Sequence, residues 1–212
     1  MRTELLPVPL APEISLHLAG GDTGLFDATG GEFRSDVPPP FWAFVWAGGQ
    51  ALARYILDHP ETVAGRRVLD VAAGSGVAAI AAARAGAAGV EALDLDPAAA
   101  GATRRNAAAN GVTVEVRAAD VADAGPADVV LAGDVFYTRS VADRMTSALR
   151  RLAASGALIL VGDPGRGYFP ERLFIRKAEY TVPVTAALEE TESLVTAVWE
   201  MRNTMLSPTN KL

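Results

Sequence analysis

The chain has 212 residues, a formal charge of −6, 50% hydrophobic residues and 21% charged ones, which fits a single folded domain with a sizeable core and excludes a disordered chain. The acid excess, with basic residues scattered along the chain, argues against a nucleic-acid surface, because such surfaces draw their affinity from clustered cations. Without Cys there are no disulfides, thiolate nucleophiles or Cys-held metals, and His17 and His59 have no second ligand at helical spacing, so no metal is expected.

Residues 1–13, MRTELLPVPLAPE, carry prolines and acids where a secretion signal needs a continuous apolar stretch. The Ala-rich runs further on are too interrupted to supply the roughly 20 apolar residues of a bilayer span. A cytoplasmic protein without membrane contact is the expectation. EISLHLA (13–19) reads as a strand and GGDTGLFDATGGE as turns, so 1–40 is taken as an N-terminal appendage to a domain over 41–212. Pro38, Pro39 and Pro40 stop regular structure before FWAFVWAGGQALARYILDHP. There Trp42, Val45, Trp46, Leu52, Tyr55 and Ile56 fit one face of a helix, loosened at Gly48 and Gly49. From 66 onward strand and helix alternate: RRVLDVA, then VAAIAAARAGA, GVEALDL, DPAAAGATRRNAAAN closed by Gly111 as a left-handed cap, VTVEVRA, ADVVLAGD, a helix over 139–154, and GALILVGD. This alternation predicts an α/β fold with five parallel strands and right-handed crossovers. RKAEYTVPV (176–184) and ESLVTAVWEMR (192–202) add an antiparallel hairpin, for seven strands with the last antiparallel.

The segment VLDVAAGSG (68–76) runs an apolar strand into small residues at a helix start, where a ligand can approach the backbone. It lacks the Lys-Ser/Thr of a P-loop, and Ala79 stands where a dinucleotide fingerprint has its third Gly, which argues against ATP and weakens a dinucleotide. Asp94 ends the second strand about 20 residues later, where an acid accepts from both ribose hydroxyls. Turn and acid together mark a ribonucleoside site. Asp120, two residues past the third strand, is placed to meet an adenine amino group, with Val121 covering the ring; a loop Asx-turn is the alternative. Asp96 before Pro97 reads as a helix cap.

Over 41–202 the pattern resembles the class I S-adenosylmethionine-dependent methyltransferases. The resemblance implies their Rossmann-like seven-stranded fold, mostly parallel with the antiparallel last strand between the fifth and sixth and helices on both faces, and S-adenosylmethionine as cofactor. Asp70, Gly74 and Gly76 then match the first motif around the methionine end, Asp94 the ribose acid, and Asp120 with Val121 the adenine contact. PPPFWAFVWAGGQALARYILDHPE, AGDVFY and VGDPGRGYF narrow the resemblance to the electron transfer flavoprotein β-subunit lysine methyltransferases. That implies a protein partner, the flavoprotein β-subunit. A different protein, a small amine, or a noncatalytic nucleoside-binding role on the same fold are the alternatives.

A methyl acceptor must be a neutral amine held in line. Asp134, Phe136 and Tyr137, at the end of the fourth strand, are the expected catalytic group, with Asp163 sharing the acceptor pocket; for Phe136 and Tyr137 the alternative is that they close the core beneath the following helix. Arg166 is expected to touch the substrate or pair with an acid. Trp46 and Gln50, one helical turn apart, are expected to close over the cofactor's carboxylate end. Glu189, Glu190 and Glu192 read as a solvated turn, alternatively as an acidic rim for a basic target.

Overall fold

The computed structural model describes residues 2–20 and 39–202. Strand β1 (Glu4–Pro7) pairs antiparallel with β2 (Ser15–Leu18) in a small sheet of its own. The strand read at 13–19 is therefore present. Its partner, interrupted by prolines, carries no alternating signal. Asn110, which closes a later helix, holds β2 as a strand would, accepting from Ser15 N at 3.0 Å and donating to Ser15 O at 2.6 Å. Val8, Ile14 and Leu16 from this hairpin are fully buried in the same core as the main sheet. The turns read in 20–32 fall almost wholly outside the described residues.

The expected helix beginning at Trp42 starts later. Phe41–Ala43 make a short 3-10 turn, Phe44 and Trp46 are extended, and helix α1 runs over Ala47–Asp58. Its entry has no side-chain cap of its own. Asp134, far along the chain, caps it instead: its Oδ2 accepts from Gly48 N at 2.6 Å and Gly49 N at 3.1 Å. The two glycines do not loosen the helix; they let it touch the sheet. A Cβ on Gly48 would fall on the Gly162 carbonyl oxygen, and one on Gly133 would lie 2.9 Å from Gly49 N. Gly48→Ala is therefore expected to cost about 2–3 kcal/mol through overpacking against immovable backbone. For a chain of this size that lowers Tm by roughly 4–12 °C. Gly101→Ala, on an exposed helix position with nothing within 4 Å of the added methyl, should instead gain about 0.5–1 kcal/mol. Equal melting shifts for the two variants would contradict this packing account.

Beyond α1 the chain alternates as its sequence predicts: β3 (Arg67–Val71), α2 (Val77–Arg84), β4 (Gly89–Asp94), α3 (Pro97–Ala109), β5 (Glu115–Ala118), β6 (Val129–Gly133), α4 (Arg139–Ala154), β7 (Leu158–Asp163), β8 (Phe174–Pro183) and β9 (Ser193–Met201). The seven-stranded sheet has the order β5-β4-β3-β6-β7-β9-β8. Strand β9 is antiparallel to both neighbours, so it lies between β7 and β8 in the expected place. Local signals hold as well: Asp96 caps α3 by accepting from Ala98 N at 2.8 Å, and Gly111 takes φ 65 just past its end. One face of the sheet packs on α1 and α2 and the other on α4. The strand order reverses between β3 and β6, which opens a crevice at the carboxyl edge. No helix among the described residues is long and apolar enough to cross a membrane.

Candidate functional site

A cavity of about 550 Å³ occupies that crevice, within the usual range of roughly 300–1,000 Å³ for small-molecule sites. One half of it is built on the turn after β3. Ala72, Gly74 and Gly76 all take positive φ, at 53, 54 and 82°. Gly74 lines the cavity and donates to Asp94 Oδ2 at 2.9 Å, while Asp94 Oδ1 accepts from Asp96 N at 2.9 Å. Each oxygen keeps a further lone pair for a ligand hydroxyl. Burial pushes the Asp94 carboxyl above its ordinary range, against the pull of those backbone donors.

Behind the turn, α3 supplies a support that the sequence reading did not single out. Thr103 Oγ1 donates to Gly74 O at 3.0 Å and Asn106 Nδ2 to Ser75 O at 2.8 Å. Both side chains are fully buried, and the visible signal was a pair of polar residues on the inner face of an Ala-rich helix. Gly76 and Asp70 do not line the cavity. An added Cβ at Gly76 would meet Thr103 Cγ2 at 2.7 Å, so this glycine serves close helix packing. Asp70 is 2% exposed, accepts from Ala79 N at 3.0 Å and is pushed up to about 7 by burial; it braces the turn from inside. Asp120 forms the expected turn and also lines the cavity. It caps the 3-10 turn Val121–Asp123 by accepting from Ala122 N at 2.8 Å, pairs with Arg144, and lines the cavity with Val121.

At the other end stands Asp134, a non-glycine residue at φ 54. Besides capping α1, it accepts from Arg166 Nη2 on Oδ1 at 3.1 Å. Burial raises its carboxyl to about 6, with the Arg166 charge opposing the rise. Tyr137 is 50% exposed at the mouth, its ring 5.9 Å from that of Phe41. Both line the cavity, as do Trp42 and Trp46. Trp46 Nε1 donates to Phe41 O at 2.9 Å, which ties the aromatic turn before α1 to the cavity wall.

Besides Asp70 and Gly76, three further expected site residues lie outside the cavity lining. Phe136 is fully buried and packs edge-on against Phe169 at 5.3 Å; the left-handed residue at 134 redirects the chain, so Phe136 enters the core. Gln50 is 1% exposed and its amide is committed, donating to Pro183 O at 3.0 Å and accepting from Leu10 N at 3.2 Å. It clamps the hairpins, because Trp46 precedes the helix and the two side chains share no helical face. Asp163 is 1% exposed and holds its own loop, with Oδ1 accepting from Gly165 N and Arg166 N, both at 2.7 Å.

That loop carries Arg166 into the cavity. Glu189 accepts from its two terminal nitrogens at 2.6 and 3.0 Å, and the guanidinium carbon lies 5.9 Å from the centre of the Trp46 ring. The solvated turn expected here is thus only partly present. Glu190 and Glu192 are exposed, but Ala186–Glu189 form one helical turn closed by Glu190 at φ 57, which tucks Glu189 inward.

These groups fit a nucleoside: an acceptor for ribose hydroxyls at Asp94, a small apolar cover at Val121, and a turn free of bulk at Gly74. A family model described as ribosomal protein L11 methyltransferase (PrmA) matches residues 51–163. The electron transfer flavoprotein beta subunit lysine methyltransferase of Danio rerio is 39% identical over 198 residues, covering 90% of this chain and 76% of that protein. Its Xenopus laevis namesake is 36% identical over 208 residues, covering 93% and 82%. Among solved structures, magnesium protoporphyrin IX methyltransferase (ChlM) from Synechocystis PCC 6803 with bound SAM aligns with TM-score 0.54 at 15% identity, covering 73% of this chain and 78% of that one. At that identity the likeness is one of fold.

Proposed function

The chain belongs to the electron transfer flavoprotein beta subunit lysine methyltransferase family, and from that premise we propose that it methylates lysine side chains of the electron transfer flavoprotein β-subunit. The observation that carries this reading is one cavity with a ribose-type acid, Asp94, at one end and an acid with an aromatic wall, Asp134 and Tyr137, at the other. S-adenosylmethionine, when bound, supplies a methyl group activated by a sulfonium. The chain's own residues do the rest. Asp94 and the Gly74 turn would hold the cofactor's ribose and Asp120 with Val121 its adenine, while Trp46 forms part of the wall. Asp134, with its carboxyl near 6, is ionised at neutral pH and so orients an amine through its N–H groups. The rings of Phe41 and Tyr137 flank a lysine's methylene stem and tolerate its charge. The match to the ribosomal-protein methyltransferase model ends at 163, before Arg166 and the β8–β9 connection, so it does not extend to these elements of the acceptor side.

Incubating the folded flavoprotein with enzyme and cofactor, then mapping peptides by mass, is the test. Each methyl adds about 14 Da, and the expected result is such additions on β-subunit lysines. The enzyme's own lysines, Lys177 and Lys211, give little background. No shifted β-subunit lysine, together with clear labelling of another protein or a small amine, overturns the substrate and leaves methyl transfer standing.

A further inference from the structure

Arg166 brings a permanent positive charge into the half of the cavity that has to admit a lysine. A cation there repels the incoming ammonium unless something offsets it, and the low-dielectric surroundings strengthen that repulsion. Two carboxylates surround the guanidinium, and they are not equivalent. Glu189 takes both terminal nitrogens, at 2.6 and 3.0 Å, whereas Asp134 takes one at 3.1 Å and spends its other oxygen on the N–H groups of Gly48 and Gly49.

We propose that Glu189, at the tip of the β8–β9 connection, is a specificity-determining residue that acts through Arg166: by neutralising the guanidinium it leaves Asp134 as the net charge offered to a lysine cation. The inference rests on the lysine-methylation reading. With Glu189 ionised, Arg166, Asp134 and Glu189 together carry one excess negative charge, which one ammonium balances. With a neutral residue at 189 the same three positions are already balanced, and an arriving ammonium has no counter-charge. The placement is built in: the single helical turn Ala186–Glu189 and the left-handed Glu190 direct the side chain inward, leaving it 11% exposed, while its neighbours Glu190 and Glu192 face solvent.

The test measures KM and kcat for the lysine-bearing protein at saturating cofactor, and cofactor affinity separately. Glu189→Gln keeps the shape and removes the charge; its KM is expected to rise at least about tenfold with cofactor affinity unchanged. Arg166→Gln leaves two carboxylates and should show a KM no higher than wild type. The double variant restores a single negative charge, and its KM should return to within about threefold of wild type. A merely structural ion pair predicts instead that Arg166→Gln is impaired as well, because it leaves Glu189 and Asp134 without their partner. An unchanged KM in Glu189→Gln, a tenfold rise in Arg166→Gln, or a double variant no better than Glu189→Gln overturns the inference. A wild-type enzyme that labels no lysine at all overturns the lysine reading, and this inference with it.

Discussion

Asp94→Ala is expected to weaken S-adenosylmethionine binding by roughly 30- to 1,000-fold, equivalent to about 2–4 kcal/mol. Two losses add. The variant removes the acceptor for two ribose hydroxyls, and it also frees Gly74 N and Asp96 N, which Asp94 holds at 2.9 Å each. Those bonds fix the left-handed Gly74, so the turn that must meet the ligand loses its own anchor. The carboxylate is largely withdrawn from water, so nothing in solvent replaces it cheaply. Calorimetric titration of wild type and variant gives the ratio directly. A variant within about threefold of wild type would place the ribose elsewhere.

Asp134→Asn should have its largest effect on turnover, lowering kcat by at least about 10²-fold. It should also cost stability, about 2–3 kcal/mol, because an amide cannot accept from both of its partners. Whichever way it is turned, its NH₂ faces either the Gly48 and Gly49 amides or the Arg166 guanidinium, a donor against donors. The pH dependence follows from the raised carboxyl. The folded value, about 6, lies above the ordinary 3.8, so the folded state binds the proton more tightly. Stability contributed by this group is therefore greatest at low pH and declines as pH rises from about 4 to about 6, a slope that the Asn variant loses. Turnover moves the opposite way, because protonation below about 6 removes the charge that meets the amine. A variant with normal kcat and a normal acid limb would take Asp134 out of the acceptor site.

Much of this architecture is written locally in the chain. The Asp96-Pro97 cap, the Gly111 terminus and the strand–helix alternation each depend on a few neighbouring residues, and each stands where the sequence puts it. Asp94, Asp120 and Tyr137 reach the cavity because strand ends converge at the carboxyl edge of a parallel sheet. What the sequence hid depends on contacts between distant segments. Gly48 and Gly49 look like helix breakers until Gly133 and Gly162 are placed against them. Glu189 looks solvated until Arg166, 23 residues earlier, reaches it. Phe136 stands beside Asp134 and Tyr137 in the sequence, but a positive φ at 134 ends the strand's alternation and sends Phe136 into the core, and no pattern of residue types announces that. Gln50 follows the same logic, since its expected role needs a helix running from Trp42, whereas the helix begins five residues later, at Ala47.

The most direct test is a crystal structure of the protein with S-adenosylhomocysteine. The account predicts density inside the cavity, with the ribose hydroxyls on Asp94, the adenine beside Asp120 and Val121, and the sulfur directed toward Asp134 and Tyr137. Density lying outside this cavity, or a ribose that does not touch Asp94, would contradict it.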